Sequence, residues 1–265
     1  MTMTETTAIS TTPVLTITDG RATVRLNRPA EHNRLEPADL AAIVEILDRV
    51  DRDQSVRVLV LTGTGKSFSS GFHIGALAER KDGRGGEYDP NAFEHMVDRL
   101  EDLRVPTIAA LNGGVYGGAT DLALACDFRI GVTTTRMFMP AARLGIVYYE
   151  SGLRRYVTRL GLNNAKRLFL TAAPVEAEKL RRMGYLDEVV APADLNPRVD
   201  ELAGQLGANA PLALAATKRA LNDIARGTLD SASHTAAREL CANSDDHHEG
   251  LRAWAEKRKP AFKGQ

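Results

Sequence analysis

The stretch NGGVYGGATDLALACD, residues 112 to 127, places four glycines within six positions and runs directly into an alanine-rich apolar segment that reads as a buried helix. Before it stands VPTIAAL, residues 105 to 111, an apolar run that reads as a strand covered on both faces. The unit is therefore strand, glycine turn, helix. At such a junction the first peptide N–H groups of the helix lack intrahelical partners and point outward, and glycine lets another group approach them closely. Two readings stand side by side: the glycines serve only a tight turn and close packing, or they expose an N–H donor to a ligand.

Upstream, VRVLVLTG at 56 to 63 is a second continuous run of β-branched and apolar residues ending in glycine. VLTITDGRATVRLNRP reads as two short strands around an Asp19-Gly20 turn, followed by a helix at about 36 to 51. Residues 79 to 90 are charged and glycine-rich and are expected to form a surface loop. Beyond about residue 160 the pattern is mainly helical, with a strand-like LDEVV at 186 to 190 and helices near 194 to 207, 211 to 226, 230 to 241 and 245 to 257. Strand and helix alternation followed by a helical tail predicts an α/β fold with a helical C-terminal extension. Residues 1 to 12 are polar and threonine-rich, the expected flexible tail; 13 to 200 form the expected core and 201 to 265 the extension.

Composition narrows the function. The 265 residues are 43% hydrophobic, and 34 basic residues balance 34 acidic ones, so no overall field marks nucleic acid or a membrane surface as partner. An anionic ligand must be met by local charge. Cys126 and Cys241 are distant and lack metal-ligand spacing, and the sequence shows no signal peptide, which makes cytoplasm the expected compartment. His247 and His248 are adjacent, so their side chains diverge on a helix; a solvated turn is expected rather than a metal site. LTGTGKSFSSG contains Gly65, Lys66 and Ser67 but has Val60 where a P-loop needs glycine, and NGGVYGGAT lacks the dinucleotide fingerprint.

KSFSSGFHIGAL, residues 66 to 77, supplies a second possible donor, the N–H of Phe72 after Gly71. With LNRPAEHNRLEPADL, NGGVYGGATDLALACD, RLGIVYYESGLRR, RLFLTAAPVEAEKLRRMGYLDEVV and EGLRAWAEKRKPAF, it resembles the crotonase superfamily, the enoyl-CoA hydratase/isomerase family, along nearly the whole chain. The resemblance implies a crotonase-like spiral of ββα units, with C-terminal helices building a homotrimer or a hexamer of paired trimers. It implies that the N–H groups of Phe72 and Gly118 hold the thioester oxygen of an acyl-CoA as it becomes an enolate. Such a donor is typically worth about 3 kcal/mol in the transition state. It further implies a nucleotide lying along Asn33, Arg34 and Leu35 and along Phe68, Ser70 and Gly71, with Gly117 giving the thioester room. The tail of a neighbouring subunit, with Lys257, Lys259 and Phe262, is expected near the adenine and phosphates; alternatively the tail is a solvated charged end. Coenzyme A is then part of the substrate, and neither a separate cofactor nor a metal is expected.

The reaction is less direct to read. Hydratases of this family use two glutamates; here the first position is Asp121 and the second is Ala141. Lacking the pair, water addition loses an acid/base group worth about 10²- to 10⁴-fold. The LGIVYYESG loop resembles that of methylmalonyl-CoA decarboxylases of the same family, which implies that Tyr148 orients a departing carboxylate. This makes a decarboxylase-type lyase the leading expectation. His73 follows the first-loop glycine one place too late for the decarboxylase pattern and is a candidate by proximity, or a structural residue. Glu150 is a candidate base for hydration or isomerisation, alone or with Asp121, or simply a first-turn charge on the following helix. Asp121 carries the same dual reading. A third possibility is an acyl-CoA-binding protein without turnover.

Overall fold

In a computed structural model, the structure describes residues 12–73 and 89–265. The expected loop at 79 to 90 and the N-terminal tail thus fall almost wholly outside the described residues.

The Asp19-Gly20 turn joins β1 (Val14–Thr18) to β2 (Arg21–Leu26), pairing Thr18 with Arg21 and Val14 with Arg25. Both turn residues take positive φ, 50° at Asp19 and 75° at Gly20, the type I′ geometry that matches strand twist. After α1 (Pro37–Arg52) come β3 (Val58–Gly63) and β5 (Thr107–Leu111), the two continuous apolar runs. Every residue of both strands is buried. With β7 (Phe128–Val132) and β10 (Glu188–Val190) they complete a six-stranded sheet ordered β1-β2-β3-β5-β7-β10, parallel except for the first hairpin.

The pleat explains why those runs are apolar throughout. Val58, Val60, Ile108, Ala110, Ile130 and Val132 meet Leu195, Val199 and Ala203 of α7 (Leu195–Gly207) on one face. Leu59, Leu61, Ala109 and Leu111 point into the main core on the other.

Between these strands the chain repeatedly visits a second, four-stranded sheet, ordered β4 (Ser67–Ser69), β6 (Gly114–Tyr116), β8 (Arg136–Phe138) and β9 (Val175–Glu176). After the opening β1-β2 hairpin, which lies wholly in the larger sheet, each turn of the spiral supplies one strand to each sheet. The helices after β4, β6 and β8 include α2 (Ala92–Glu101), α3 (Ala119–Ala125) and α4 (Glu150–Leu160). This is the ββα spiral that the sequence resemblance implies. The small strands are two or three residues long, too short to show alternation in the sequence.

α5 (Leu162–Thr171) and α6 (Ala177–Arg182) lead through β10 to α7, then to α8 (Pro211–Arg226), α9 (Ser231–Ala242) and α10 (Asp245–Glu256). The strand-like 186 to 190 shortens to Glu188–Val190 because Asp187 turns its carboxylate to Arg129 N–H, 2.7 Å away. His247 and His248 lie exposed in the first turn of α10, within the helix expected near 245 to 257. Apolar side chains stand out of the terminal helices, including Leu240 and Trp254, the latter 87% exposed.

Candidate active site

The parallel pairing of β4 with β6, Ser67 opposite Gly114 and Ser69 opposite Val115, brings the ends of two neighbouring strands to the same sheet edge. The loops that follow them carry Gly71 and Phe72 in one case, Gly117 and Gly118 in the other. Their proximity is close enough to dictate residue type. A Cβ at Gly71 would lie 2.6 Å from Tyr116 O and 2.9 Å from Gly118 N, and its φ of +87° disfavours a side chain independently.

Phe72 is oriented by Leu35. Leu35 N–H donates to Gly71 O at 2.9 Å, and His73 N–H donates to Leu35 O at 3.0 Å. This bridge uses the groups flanking Phe72, so Phe72's own N–H points away from Leu35. Gly117, with φ +54°, bends the second loop and donates its N–H to Phe138 O at 2.9 Å. Gly118 then caps α3, its carbonyl accepting from Asp121 N–H and Leu122 N–H.

Asn33 holds the first loop in shape. Its side-chain carbonyl accepts from Arg28 N–H at 3.0 Å, and its amide donates to Thr64 O, Ser67 O and Phe68 O. Asn33, Leu35 and Phe68 are buried, so their side chains are structural and only their backbone can meet a ligand. Ser70 Oγ donates to Glu31 O at 3.1 Å, and Arg34 Nε donates to Glu36 at 2.7 Å.

Asp121 lies in the first turn of α3, fully buried, and both its oxygens are taken. Arg155 of α4 donates Nε to one at 3.0 Å and Nη2 to the other at 2.7 Å; Tyr149 donates its hydroxyl to the second at 2.5 Å. Burial is the largest single influence and opposes the Arg155 charge, but the bond and charge of Asp121 together with Glu101 and Asp98 outweigh it and raise the Arg155 pKa above its ordinary value. Arg155 also reaches Asp98 and Glu101 on α2. An Asp121 so engaged fits the structural reading of this position, an ion-paired carboxylate in the first turn of α3.

The two adjacent tyrosines part company. Tyr149 sits edge-on to Phe93, centroids 6.2 Å apart, on the side of Gly118. Tyr148 stacks behind Tyr149 at 4.3 Å and packs against Phe169 and Tyr156, its hydroxyl donating to Tyr149 at 3.3 Å. Burial first, and then the Asp121 charge, push both phenols well above their ordinary range, so both stay protonated at neutral pH. Tyr149 thus lies between Tyr148 and the Phe93 ring that covers Gly118.

His73 sits with Nδ1 3.0 Å from Glu36, on the α1 side of the loop, as the one-residue shift suggests. Burial opposes ionisation of Glu36, yet Arg34 and His73 together hold its carboxyl below the usual range. Ala141 is buried and supplies no carboxylate, whereas Glu150 is exposed as the first residue of α4. Phe262 packs on Gly250 in its own chain, and Lys263 and Gly264 N–H donate to Asp246, so the tail folds back on α10. Phe262 also lines a cavity of about 710 Å³ among the terminal helices, while Lys259 is exposed.

Phe93 and Arg155 escape a reading of the sequence. A Cβ on Gly118 would lie 2.7 Å from Phe93 Cζ. Neither residue stands near Gly118 in the chain; NAFEHM carries no local motif, and RLGIVYYESGLRR, though part of the family resemblance, does not reveal that its last arginine pairs with Asp121.

A spiral of ββα units in which neighbouring parallel strands deliver two loop N–H groups to one edge defines a crotonase-fold acyl-CoA enzyme. The family profile described as enoyl-CoA hydratase/isomerase matches residues 16–265, and the chain belongs to that family. It is 34% identical over 245 residues to a crotonyl-CoA hydratase of Syntrophomonas wolfei, covering 91% of this chain and 94% of the relative. It is 32% identical over 241 residues to a short-chain-enoyl-CoA hydratase of Clostridium acetobutylicum, covering 90% and 92%. A crystal structure of an enoyl-CoA hydratase from Bacillus anthracis superposes with a TM-score of 0.86 at 28% identity, covering 96% of this chain and 99% of that one. These names describe hydratases and give the decarboxylase expectation no support. Among the described residues, no helix is long and apolar enough to cross a membrane.

Proposed function

We propose that the protein binds an enoyl-CoA thioester and stabilises its enolate between the N–H groups of Phe72 and Gly118, with Glu150 handling the proton. The contact between Gly71 and Gly118 carries this reading, because the two loops approach so closely that one oxygen can accept from both. Charge gathers on that oxygen only as the transition state forms, so the two donors favour reaction over mere binding. The N-terminus of α3 adds its positive end to the same point.

The choice of Glu150 rests on comparing the three positions that the sequence resemblance marks for proton handling. Asp121 is consumed by Arg155 and Tyr149, Ala141 has no carboxylate, and Glu150 is the exposed acid in the loop. One base suffices to remove and return a proton beside a thioester, so double-bond isomerisation needs no second carboxylate; hydration would draw on Glu150 with a less exactingly held water. The relatives' names support an enoyl-CoA substrate. The nucleotide would run along the backbone of residues 33 to 35 and 68 to 71, with Arg34, Ser70 and Lys259 as reachable polar side chains. Apolar residues such as Leu240 and Trp254 on the terminal helices support assembly into trimers or paired trimers.

The test is a panel of crotonyl-CoA, a 3-enoyl-CoA and methylmalonyl-CoA with the native protein and Glu150→Gln. Turnover of an enoyl thioester, reduced about 10²- to 10⁴-fold in Glu150→Gln, is expected. Release of carbon dioxide from methylmalonyl-CoA without enoyl turnover would restore decarboxylation. Binding with no turnover of any thioester would leave only a carrier.

A further inference from the structure

Resting on the reading of Phe72 and Gly118 as the oxyanion donors, we infer that Phe93 determines specificity by limiting the acyl group to a short chain. The apolar stripe of α2 runs through Phe93, Met96, Val97 and Leu100, and its last three members are fully enclosed core residues. Phe93, the first, stands at the site end of the helix. Its ring covers Gly118, with Cζ 2.7 Å from where a Cβ would be, and lies 6.0 Å from the Phe72 ring and 6.2 Å from the Tyr149 ring.

A thioester oxygen held by both donors fixes its carbonyl carbon within a bond length of that oxygen, and the next carbons must pass close by. The polar nucleotide cannot exchange water for an aromatic wall without loss, whereas acyl carbons gain by it. The acyl group therefore runs toward Phe93, Phe72 and Tyr149. Tyr149 cannot yield, because its hydroxyl is tied to Asp121. Phe93 is held by packing alone, and its ring fills the room that a longer chain would need. A planar, short, conjugated group fits against such a wall; a long saturated tail does not.

The experiment compares crotonyl-CoA with trans-2-octenoyl-CoA for native protein, Phe93→Ala and Phe93→Leu, using kcat/KM and, independently, titration calorimetry with butyryl-CoA and octanoyl-CoA. The native protein prefers the four-carbon thioester by at least about tenfold. Phe93→Ala lowers kcat/KM on crotonyl-CoA and raises it on octenoyl-CoA, shifting the ratio by about 10²-fold, in line with the 10- to 200-fold that one methylene commonly decides in an apolar pocket. Phe93→Leu keeps most of the packed volume and shifts the ratio in the same direction by a smaller factor. A native preference for the longer chain, or an unchanged ratio in whichever variant folds, overturns the inference while leaving the oxyanion reading intact. Absence of both binding and turnover for every thioester in the native protein overturns the two together.

Discussion

Asp121 and Arg155 meet as a fully buried two-point ion pair, 34 residues apart in the chain, with contacts of 3.0 and 2.7 Å. The pair places a neutralised carboxylate one turn from the N-terminus of α3, where a bare anion would repel negative charge developing near Gly118. Asp121→Asn keeps the shape and strips the charge from a buried partner, with an expected loss of about 3 kcal/mol in stability. Urea unfolding measures that loss, and the proposal that Glu150 handles the proton predicts no change in the shape of the kcat/KM profile against pH. An altered profile at unaltered stability would give Asp121 a direct part in the chemistry.

The neighbouring tyrosines should respond unequally. Tyr149→Phe deletes the 2.5 Å bond to a buried carboxylate and leaves Tyr148 without its acceptor, an expected cost of about 1 to 3 kcal/mol. Tyr148→Phe removes one 3.3 Å bond and should cost under about 1 kcal/mol in stability, with a smaller loss of kcat than Tyr149→Phe. Thermal unfolding and kcat for both variants would check the order; a greater loss from Tyr148→Phe would return the site-facing role to Tyr148.

The two loop glycines should differ in whether their replacement can be rescued. Gly118→Ala drives a methyl against Phe93, a side chain that can move or be cut back, and the φ of −58° at Gly118 suits alanine. Combining it with Phe93→Leu should recover stability, with a coupling of roughly 0.5 to 3 kcal/mol in a double-mutant cycle. Gly71→Ala meets backbone at Tyr116 and Gly118 in a left-handed conformation, so the same Phe93 change should recover nothing. Equal rescue of both would refute the placement of the Phe93 ring.

Acid stability should turn on Glu101. Burial opposes its ionisation, but bonds from Arg154 and Arg226 and the charges of Arg155 and Arg159 outweigh burial and hold its pKa at about 2. A folded-state pKa below the unfolded value of about 4.3 means that the contribution is complete above that value and is lost as pH falls toward 2. Unfolding free energies measured at pH 7, 4.5 and 3 should decline steeply over the last interval. In Glu101→Gln, less stable at pH 7, that decline should be shallower; a parallel decline would assign acid sensitivity to other carboxylates.

The sequence by itself determined what depends on neighbours in the chain. Continuous apolar runs marked β3 and β5 as doubly covered strands, Asp19-Gly20 marked the hairpin, and the run from Gly117 to Asp121 marked a helix start with exposed N–H groups. Its resemblance to the enoyl-CoA hydratase/isomerase family further implied that, of the two acids such hydratases use, one is shortened at Asp121 and the other is absent at Ala141. Periodicity and peptide geometry are local, so these features survive in a string of letters.

Only the tertiary structure decided which side chains meet. The short strands β4 and β6 gain their identity from pairing with each other, and that pairing sets Gly71 against Gly118. The rotation of the chain entering α4 turns Tyr149 toward Phe93 and Asp121 and stacks Tyr148 behind it, a choice between adjacent identical residues that no composition encodes. Arg155 finds Asp121, and Phe93 finds Gly118, across stretches of chain with no shared period. Their meeting depends on helix packing in three dimensions, where burial and charge pairing act on distance through space.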